Sequence, residues 1–259
     1  MKRIRCAQAA VEACVTRAGT IVGPVMTEIV GHSELTPYAG GWAGNEVAPS
    51  AFTEAQRQAA SVRTRAFGDV LGELGYRGYF EIDWLVDLDD GEVYLGEVNP
   101  RLTGASPLTN LAAFAHADAP LFLFHLLEYT DMPFELDVDA LNARWAHPMH
   151  ADPWGQLILK HLDEQPLLLT EAARSGAWTS HGPDHVRWEH MQVHRRTVED
   201  ESGAFFLRIA EPGTIVRKGD DLGILVMRGR LMEPSGQLTQ RAKQWNRGIR
   251  AEFRGIPVE

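Results

Sequence analysis

The segment 75–101 constrains the fold of this 259-residue chain most strongly. Residues 79–86 are rich in aromatic and β-branched side chains, residues 92–98 alternate in polarity, and Asp89-Asp90-Gly91 lies between the two runs. This pattern predicts a β-hairpin, with Gly91 in the left-handed conformation that a three-residue loop favours. A loop of that length places Leu88 opposite Glu92 and sets the register of the two strands.

The predicted register brings several oxygen-bearing side chains together. Asp83 is opposite Glu97 and Glu81 is opposite Asn99, so all four side chains project from one face of the hairpin. Like charges that are directly opposed on a sheet repel each other, and a cation over this face would explain their presence. Oxygen ligands suit Mg²⁺, which typically takes one or two carboxylates together with phosphate oxygens. Arg101 adds a planar cation suited to phosphate or carboxylate.

The same residues have a plainer interpretation, because alternating polar residues are also typical of the solvated face of an antiparallel hairpin. Two details favour the chemical interpretation. Asp83 lies in an otherwise apolar strand, between Ile82 and Trp84. In addition, Pro100 lacks a ladder donor, so the chain is expected to leave the sheet directly after Asn99.

The rest of the chain predicts a mixture of strands and helices. Residues 10–16 and 20–30 are predicted to form a hairpin, residues 35–49 a loop, and residues 108–115 and 121–129 two helices. Residues 53–74 are predicted to form a helix with Thr53 as its N-cap and Gly75 as its stop. The apolar positions of that helix are Val62, Ala66, Phe67, Val70, Leu71 and Leu74. Beyond a soft boundary near residue 150, strands are predicted at 186–198, 204–209 and 222–227, and a helix at 238–245.

The amino-acid composition argues against several classes of function. With 35 acidic and 25 basic residues the formal net charge is −10, which argues against a general nucleic-acid binder. No apolar run reaches the 18 or so residues that a membrane helix needs. Cys6 and Cys14 are predicted to be ordinary thiols in a reducing cytoplasm. His185, His190 and His194 lack a cysteine or a closed ligand set, so ordinary histidines are favoured over a zinc site.

The helix, the Gly75-Tyr76-Arg77-Gly78 turn, the acidic strand, the hairpin and Glu97-Val98-Asn99-Pro100-Arg101 together resemble the metal-binding signature of the ATP-grasp superfamily. The layout is similar to that of biotin carboxylase and of carbamoyl-phosphate-synthase-like members, over roughly residues 8–130. The resemblance implies an α+β fold. Residues 1–148 would form the C-terminal subdomain of an ATP-grasp domain, an antiparallel sheet with flanking helices. Residues 149–259 would form a small β-rich accessory domain.

The resemblance also implies a chemistry. It predicts a ligase that uses ATP and Mg²⁺ to activate a carboxylate as an acyl phosphate, which an amine, a thiol or a similar nucleophile then attacks. Carried over by motif, Asp83, Glu97 and Asn99 would bind the metal. Glu12, Glu97 and Asn99 would line the nucleotide site, although a surface glutamate on a strand explains Glu12 equally well. Arg101 would contact the reacting acid or its phosphate and is the expected catalytic residue.

This sequence also departs from the family pattern. Ala105 stands where biotin carboxylase has the glutamate base for bicarbonate, which favours another acid substrate. The lysine-bearing strand, the lid and the adenine hinge of the family would precede residue 1, so the chain is expected to be a C-terminal half. The glycine-rich segment 38–46 corresponds to a loop beside the phosphates in the family, or it is a plain loop.

Two other functions stay open on these residues: a non-catalytic nucleotide- or metabolite-binding module, and a subunit of a biotin-carboxylase-like carboxylase. The expected partners are small-molecule carboxylate and nucleophile substrates, with no nucleic acid and no membrane. A second copy of the chain, or the missing N-terminal half, is the expected protein partner.

Overall fold

The structure is a computed structural model that describes residues 4–115, 119–146, 152–192 and 198–258. The strands are β1 Cys6–Thr16, β2 Gly19–Val30, β3 Trp42–Val47, β4 Gly78–Asp87, β5 Val93–Asn99, β6 Trp154–Lys160, β7 Leu167–Glu171, β8 Gly176–Ser180, β9 Val186–His190, β10 Gly203–Arg208, β11 Ile215–Val216, β12 Asp221–Arg228 and β13 Arg254–Pro257. The helices are α1 Glu54–Glu73, α2 Ser106–Ala115, α3 Leu121–Tyr129, α4 Val138–Ala146 and α5 Gln240–Arg250. Within the described ranges, no helix has both the length and the apolar character needed to cross a bilayer.

The chain packs into two compact units. One comprises residues 1–28 and 47–153, and the other comprises residues 29–46 and 154–259. The division into domains at residue 148 stays a prediction.

The first unit is built on antiparallel strands in the order β5-β4-β1-β2. Its two hairpins are the ones predicted from the sequence, and the predicted helix at 121–129 is α3. One face of this sheet is apolar and packs in the core with Phe52, Ala60 and Phe67; its sheet residues include Val11, Ala13, Val15, Phe80, Ile82 and Trp84. Strand residues of opposite parity, Glu12, Glu81 and Asp83 among them, therefore project from the other face.

Helix α1 begins and ends as predicted, but its buried face is different. Thr53 is the N-cap and forms a capping box with Gln56. Of the predicted apolar positions, Val62, Val70 and Leu74 are exposed. The residues that α1 buries are Ala60, Thr64 and Gly68, spaced by four along the helix. A Cβ on Gly68 would lie 2.5 Å from a Thr20 side-chain atom, so small residues, not large ones, allow this close approach to the sheet.

The predicted register of the β4–β5 hairpin is right at the acidic end and wrong at the turn. Asp83 is opposite Glu97 and Glu81 is opposite Asn99, as expected. Near the turn, however, the Asp87 amide bonds the Glu92 carbonyl, so Leu88 belongs to the loop. A β-bulge between Asp83 and Trp84 restores the register, because Gly96 is the extra residue on β5. A Cβ on Gly96 would lie 2.9 Å from the Asp83 carbonyl oxygen, which explains the glycine.

The second unit is rich in strands, as the fold-class prediction expected. Its larger sheet runs β3-β6-β12-β10-β8-β9, and a smaller sheet runs β11-β7-β13. Helix α5 begins after Thr239, whose hydroxyl accepts from the Ala242 amide, and it buries Trp245 and Ile249 in the core of this unit. The predicted strands at 204–209 and 222–227 correspond to β10 and β12.

Two predictions for local structure are wrong. Residues 35–49 are not a loop throughout, because residues 42–47 form β3 beside β6. The strand predicted at 186–198 ends at His190, and His194 lies outside the described residues. Glycines suggested a loop at residues 35–49. In the structure Gly44 lies within β3, where its φ of 144° is a conformation that residues with a side chain rarely adopt.

We predict that Gly44→Ala destabilises the folded chain by about 2 kcal/mol or more, since strained backbone alone costs about 1–3 kcal/mol. A Cβ at this position would lie 2.0 Å from the Gln156 carbonyl oxygen. Urea unfolding followed by circular dichroism measures the effect. Gly40→Ala is the matched control, because a Cβ on Gly40 meets nothing within 4 Å. Equal unfolding midpoints for the two variants would contradict the packing described for β3.

Candidate functional site

Five carboxyl groups lie together on the non-apolar face of the first unit's sheet. On β4, Glu81 and Asp83 share this face, and on β1 Glu12 is directly opposite Glu81. Glu97 on β5 is opposite Asp83. Glu28 on β2 lies close enough that the charges of Asp83 and Glu97 influence its ionisation. Four neighbouring strands thus supply one acidic face.

The acidic face grades from a buried end to an open end. Glu12 is completely buried, and Glu81 and Asn99 are only 6% and 8% exposed. Asp83 is half-buried, whereas Glu97 is exposed to solvent. A ligand approaching from solvent would therefore meet Glu97 and Asp83 first, with the buried groups behind them.

The carboxyl groups on this face hinder one another's ionisation. Burial, and then the charges of Asp83 and Glu97, raise the pKa of Glu28 to about 7. Burial and the charge of Glu97 also raise the pKa of Asp83. Burial is likewise the main cause of the raised pKa of Glu81, and the neighbouring carboxylates add to it. Without a cation, the folded chain therefore holds negative charge here at a cost in free energy.

Asn99 and Arg101 complete the set that the sequence predicted. The Asn99 amide nitrogen is 3.4 Å from Asp83 Oδ2, and Arg101 Nη2 donates to Asn99 Oδ1 at 3.0 Å. The chain turns sharply at Pro100, where the Arg101 amide bonds the Asn99 carbonyl at 2.8 Å. Arg101 is exposed, and its charge lowers the pKa of Asp83 against the other influences. Asp83, Glu97, Asn99 and Arg101 are thus brought together.

Glu12 is buried, so it is not the surface glutamate that its strand position would also explain. Its Oε1 accepts from Thr103 at 3.0 Å and from Ser106 at 2.5 Å, and its Oε2 accepts from Tyr79 at 2.8 Å and from Thr109. Burial raises its pKa, although these hydroxyl groups act in the opposite direction. The contacts show that Glu12 fixes the segment that follows Arg101. A contact between Glu12 and a nucleotide stays a prediction.

The Thr103 hydroxyl connects two carboxyl groups. It is 3.0 Å from Glu12 Oε1 and 2.6 Å from Glu81 Oε2. A hydroxyl has one hydrogen and can donate it to only one of two acceptors. The other contact is a hydrogen bond if that carboxyl group carries a proton, which agrees with the raised pKa of both acids.

One carboxylate oxygen at the open end is left without a partner in the described part of the chain, as expected for a ligand of a hard divalent cation. Asp83 Oδ1 is buried and has no hydrogen-bond partner among the described residues. In the ranges that the structure describes, no three His, Cys, Asp or Glu side chains form a ready-made metal cluster. The oxygen donors available there belong to Asp83, Glu97 and Asn99. Such a set suits Mg²⁺, which completes its coordination with water and phosphate oxygens.

Sequence reasoning missed two parts of this site. Glu28 has the strand parity of Met26, which is opposite Ala10, and Ala10 is in turn opposite Asp83. Pairing the two predicted hairpins with each other would have found it. The hydroxyl groups that hold Glu12 gave no such signal, because three of them lie more than 90 residues away along the chain.

Comparisons with known proteins agree with this geometry. Residues 44–114 match the family model described as "Carbamoyl-phosphate synthase L chain, ATP binding domain". No curated protein matches the sequence of this chain. The family match covers the acidic hairpin and the helix that precedes it.

Solved structures share the fold at low sequence identity. Pyruvate carboxylase from Rhizobium etli has 14% identity and a TM-score of 0.57, with 99% of this chain and 21% of that chain covered. L-amino acid ligase from Bacillus licheniformis has 12% identity and a TM-score of 0.56, with 99% and 55% covered. N5-carboxyaminoimidazole ribonucleotide synthetase from Thermotoga maritima has 12% identity and a TM-score of 0.54, with 97% and 52% covered.

This chain therefore spans about half the length of the two ligases and about a fifth of the carboxylase. Its fold is the one these enzymes share, and the ATP-grasp resemblance and the α+β class predicted from the sequence are confirmed at that level.

We predict that Glu12→Ala lowers the free energy of unfolding by about 2 kcal/mol or more, because buried hydroxyl groups lose their acceptor. Chemical unfolding measures the loss. Glu73→Ala serves as the control, since Glu73 is exposed on α1 and should change stability by no more than about 0.5 kcal/mol. If both variants unfold alike, Glu12 does not hold the segment after Arg101.

Proposed function

We propose that this chain carries the magnesium and phosphate face of an ATP-dependent ligase of the ATP-grasp type, which activates a carboxylate as an acyl phosphate. The observation that carries the proposal is the open end of the acidic face. Asp83 and Glu97 oppose each other there, Asn99 is hydrogen-bonded to Asp83, and Arg101 is hydrogen-bonded to Asn99. The family match over residues 44–114 supports the same assignment.

The metal would be held by Asp83, Glu97 and the Asn99 oxygen. Bound there, Mg²⁺ would neutralise the charge that develops on the phosphates during phosphoryl transfer. Glu81 and Glu28 lie on the same face, and the like charges that raise their pKa values favour a dication over a monovalent ion there. The Asn99 side chain is oriented by its contact with Arg101, so its oxygen and the guanidinium are positioned together.

Arg101 would hold the acid substrate and its phosphate. Its guanidinium is planar and permanently charged, so it can bind two oxygens of a carboxylate or a phosphate at once. In the proposed reaction a carboxylate oxygen attacks the γ-phosphorus of ATP, the bond to ADP breaks, and an acyl phosphate forms. A nucleophile then attacks the acyl carbon, and phosphate leaves with the electron pair of the broken C–O bond.

Position 105 bears on the choice between bicarbonate and an organic acid as the substrate. Ala105 is buried and carries no functional group, so it offers no base that could deprotonate bicarbonate. An organic carboxylate, which is already ionised at neutral pH, needs no such base. We therefore favour an organic acid over bicarbonate as the substrate.

Asn99→Ala and Glu97→Gln should each lower Mg²⁺-dependent ATP turnover by about 100-fold or more, because each removes a metal ligand needed in the transition state. Turnover is measured as ADP release in the longest natural form of the protein. Glu92→Gln removes one carboxylate from the same hairpin outside the proposed ligand set and should leave turnover unchanged.

Retained turnover in both ligand variants would refute the assignment. Calorimetric titration of Mg-ATP into this chain distinguishes a ligase from a non-catalytic nucleotide-binding module. Tight binding without turnover in the natural protein would favour the non-catalytic module.

Removing the Asp83 carboxylate should change thermal stability differently in the absence and in the presence of Mg²⁺. In buffer with EDTA, Asp83→Asn should raise the melting temperature, because it relieves like-charge repulsion at a half-buried site. A ligand that binds only the folded state stabilises that state. At about 10 mM Mg²⁺ the wild type should therefore gain stability, and Asp83→Asn should gain less. Glu92→Gln should respond to Mg²⁺ as wild type does. Equal responses of Asp83→Asn and wild type would show that the metal binds elsewhere.

A further inference from the structure

Helix α1 has an exposed apolar side that the proposed function does not use. Val62, Val70 and Leu74 belong to the apolar pattern of this helix, yet they are 59%, 54% and 80% exposed. Ala66, which is also exposed, lies between them at the same spacing of four residues. Side chains spaced by four form a continuous row on a helix, so these four residues make an apolar ridge about 18 Å long.

The opposite side of α1 is already packed against the sheet of the first unit. It buries the small residues Ala60, Thr64 and Gly68, which allow the helix to lie close to the strands. The larger apolar side chains of the ridge are therefore left on the outside. Single exposed apolar side chains are ordinary on a protein surface, but a contiguous row of them marks an interaction surface.

A cleft of about 470 Å³ lies beside the first half of α1. Gln58, which precedes Val62 in the same row, lines this cleft together with Val62. Other lining residues are apolar and include Pro24, Val25, Val47 and Trp145. The cleft can therefore accept an apolar side chain. Leu74, the most exposed large apolar side chain among the described residues, lies at the opposite end of the same helix.

The charges on α1 change sign along the helix. The row next to the apolar ridge consists of Arg57, Ser61, Arg65, Asp69 and Glu73. Arg57 donates to the Phe52 carbonyl, so it is held in place. Arg65 is paired with Asp139 at 2.7 Å on the surface. A guanidinium has five N–H donors, so these contacts leave capacity for a further carboxylate. The basic half of the row is thus followed by an acidic half.

This order of charges determines how two such helices can pair. Antiparallel copies of α1 place the acidic half of each row beside the basic half of the other, whereas parallel copies place like charges together. The ridge and the cleft require the same direction. Only in an antiparallel pair does Leu74 at the end of one helix meet the cleft beside the start of the other.

We propose that α1 is the contact surface of a symmetric homodimer, in which the apolar ridges of two copies pack antiparallel about a two-fold axis near Ala66. Rows spaced by four pack together in the commonest class of helix contact, with the axes crossing at about 50°. Val62 then lies beside Val70 of the second copy, and Leu74 reaches Gln58 at the mouth of the cleft. Each contact occurs twice, as two-fold symmetry requires.

The proposed dimer does not depend on the ligase reaction. Helix α1 packs on the apolar face of the first unit's sheet, whereas Asp83 and Glu97 project from the other face. The contact surface and the acidic face are therefore on opposite sides of this sheet. Loss of the dimer would leave the proposed metal site intact.

Sedimentation velocity on the longest natural form of the protein tests the proposal. We expect a reversible dimer with a Kd of about 1–100 µM, as for a small interface. Ala66→Glu should raise the Kd by about tenfold or more, because two like charges meet at the axis. Ala251→Glu adds the same charge at an exposed position of the second unit and should leave the Kd unchanged. A protein that stays monomeric at about 300 µM, or equal Kd values for the two variants, would overturn the proposal.

Cysteine cross-linking tests the direction of the helices. In a Cys6→Ser background, a short bismaleimide should join Ala66→Cys to its own copy, because both sites lie at the axis. Gln58→Cys should not cross-link to itself, because antiparallel helices keep these two sites more than about 20 Å apart. Cys14 is buried, and burial raises the pKa of its thiol to about 12, so it does not react. Cross-linking of Gln58→Cys as efficient as that of Ala66→Cys, or none in either variant, would contradict the antiparallel contact.

Discussion

Repulsion between carboxylates on one face of a sheet is the constraint on which the first unit depends. The apolar face of the same four strands packs in a core with α1, so the strands cannot rotate to separate the acids. Asp83 and Glu97 are fixed opposite each other. Their charges help to raise the pKa of Glu28, and the charges of Asp83 and Glu28 help to raise the pKa of Glu81. In the proposed function, a bound dication with phosphate would offset this repulsion.

The buried end of the face is stabilised differently. There, hydroxyl groups instead of a cation satisfy Glu12, and Thr103 extends the network to Glu81. Because Thr103 and Ser106 follow closely after Arg101, the same hydrogen bonds that stabilise a buried acid also fix the path of the chain beyond the proposed catalytic residue. Structure and proposed chemistry are thus coupled through one glutamate whose contacts are entirely internal.

Much of this site could be predicted because hairpins obey a two-residue period. The predicted pairing of Asp83 with Glu97 and of Glu81 with Asn99 is right, although the predicted register at the turn is off by one residue, because the extra residue Gly96 restores the register. The bulge at Gly96 could not be predicted, since it depends on close contact with the Asp83 carbonyl. The face of α1 was wrong for a similar reason: Gly68 has no apolar signal, but only a residue that small allows contact with Thr20. The prediction of a loop at β3 was wrong for the same reason, because Gly44 is there to allow close contact with the Gln156 carbonyl.

The central claim is that the open end of the acidic face holds a metal–nucleotide complex. A crystal structure grown with Mn²⁺ and a non-hydrolysable ATP analogue tests it most directly, because manganese gives an anomalous signal. We predict a manganese peak at about 2–2.5 Å from oxygens of Asp83, Glu97 or Asn99, with the metal also bound to the nucleotide phosphates. A bound nucleotide with its metal elsewhere, and with Asp83 Oδ1 still without a ligand, would contradict it.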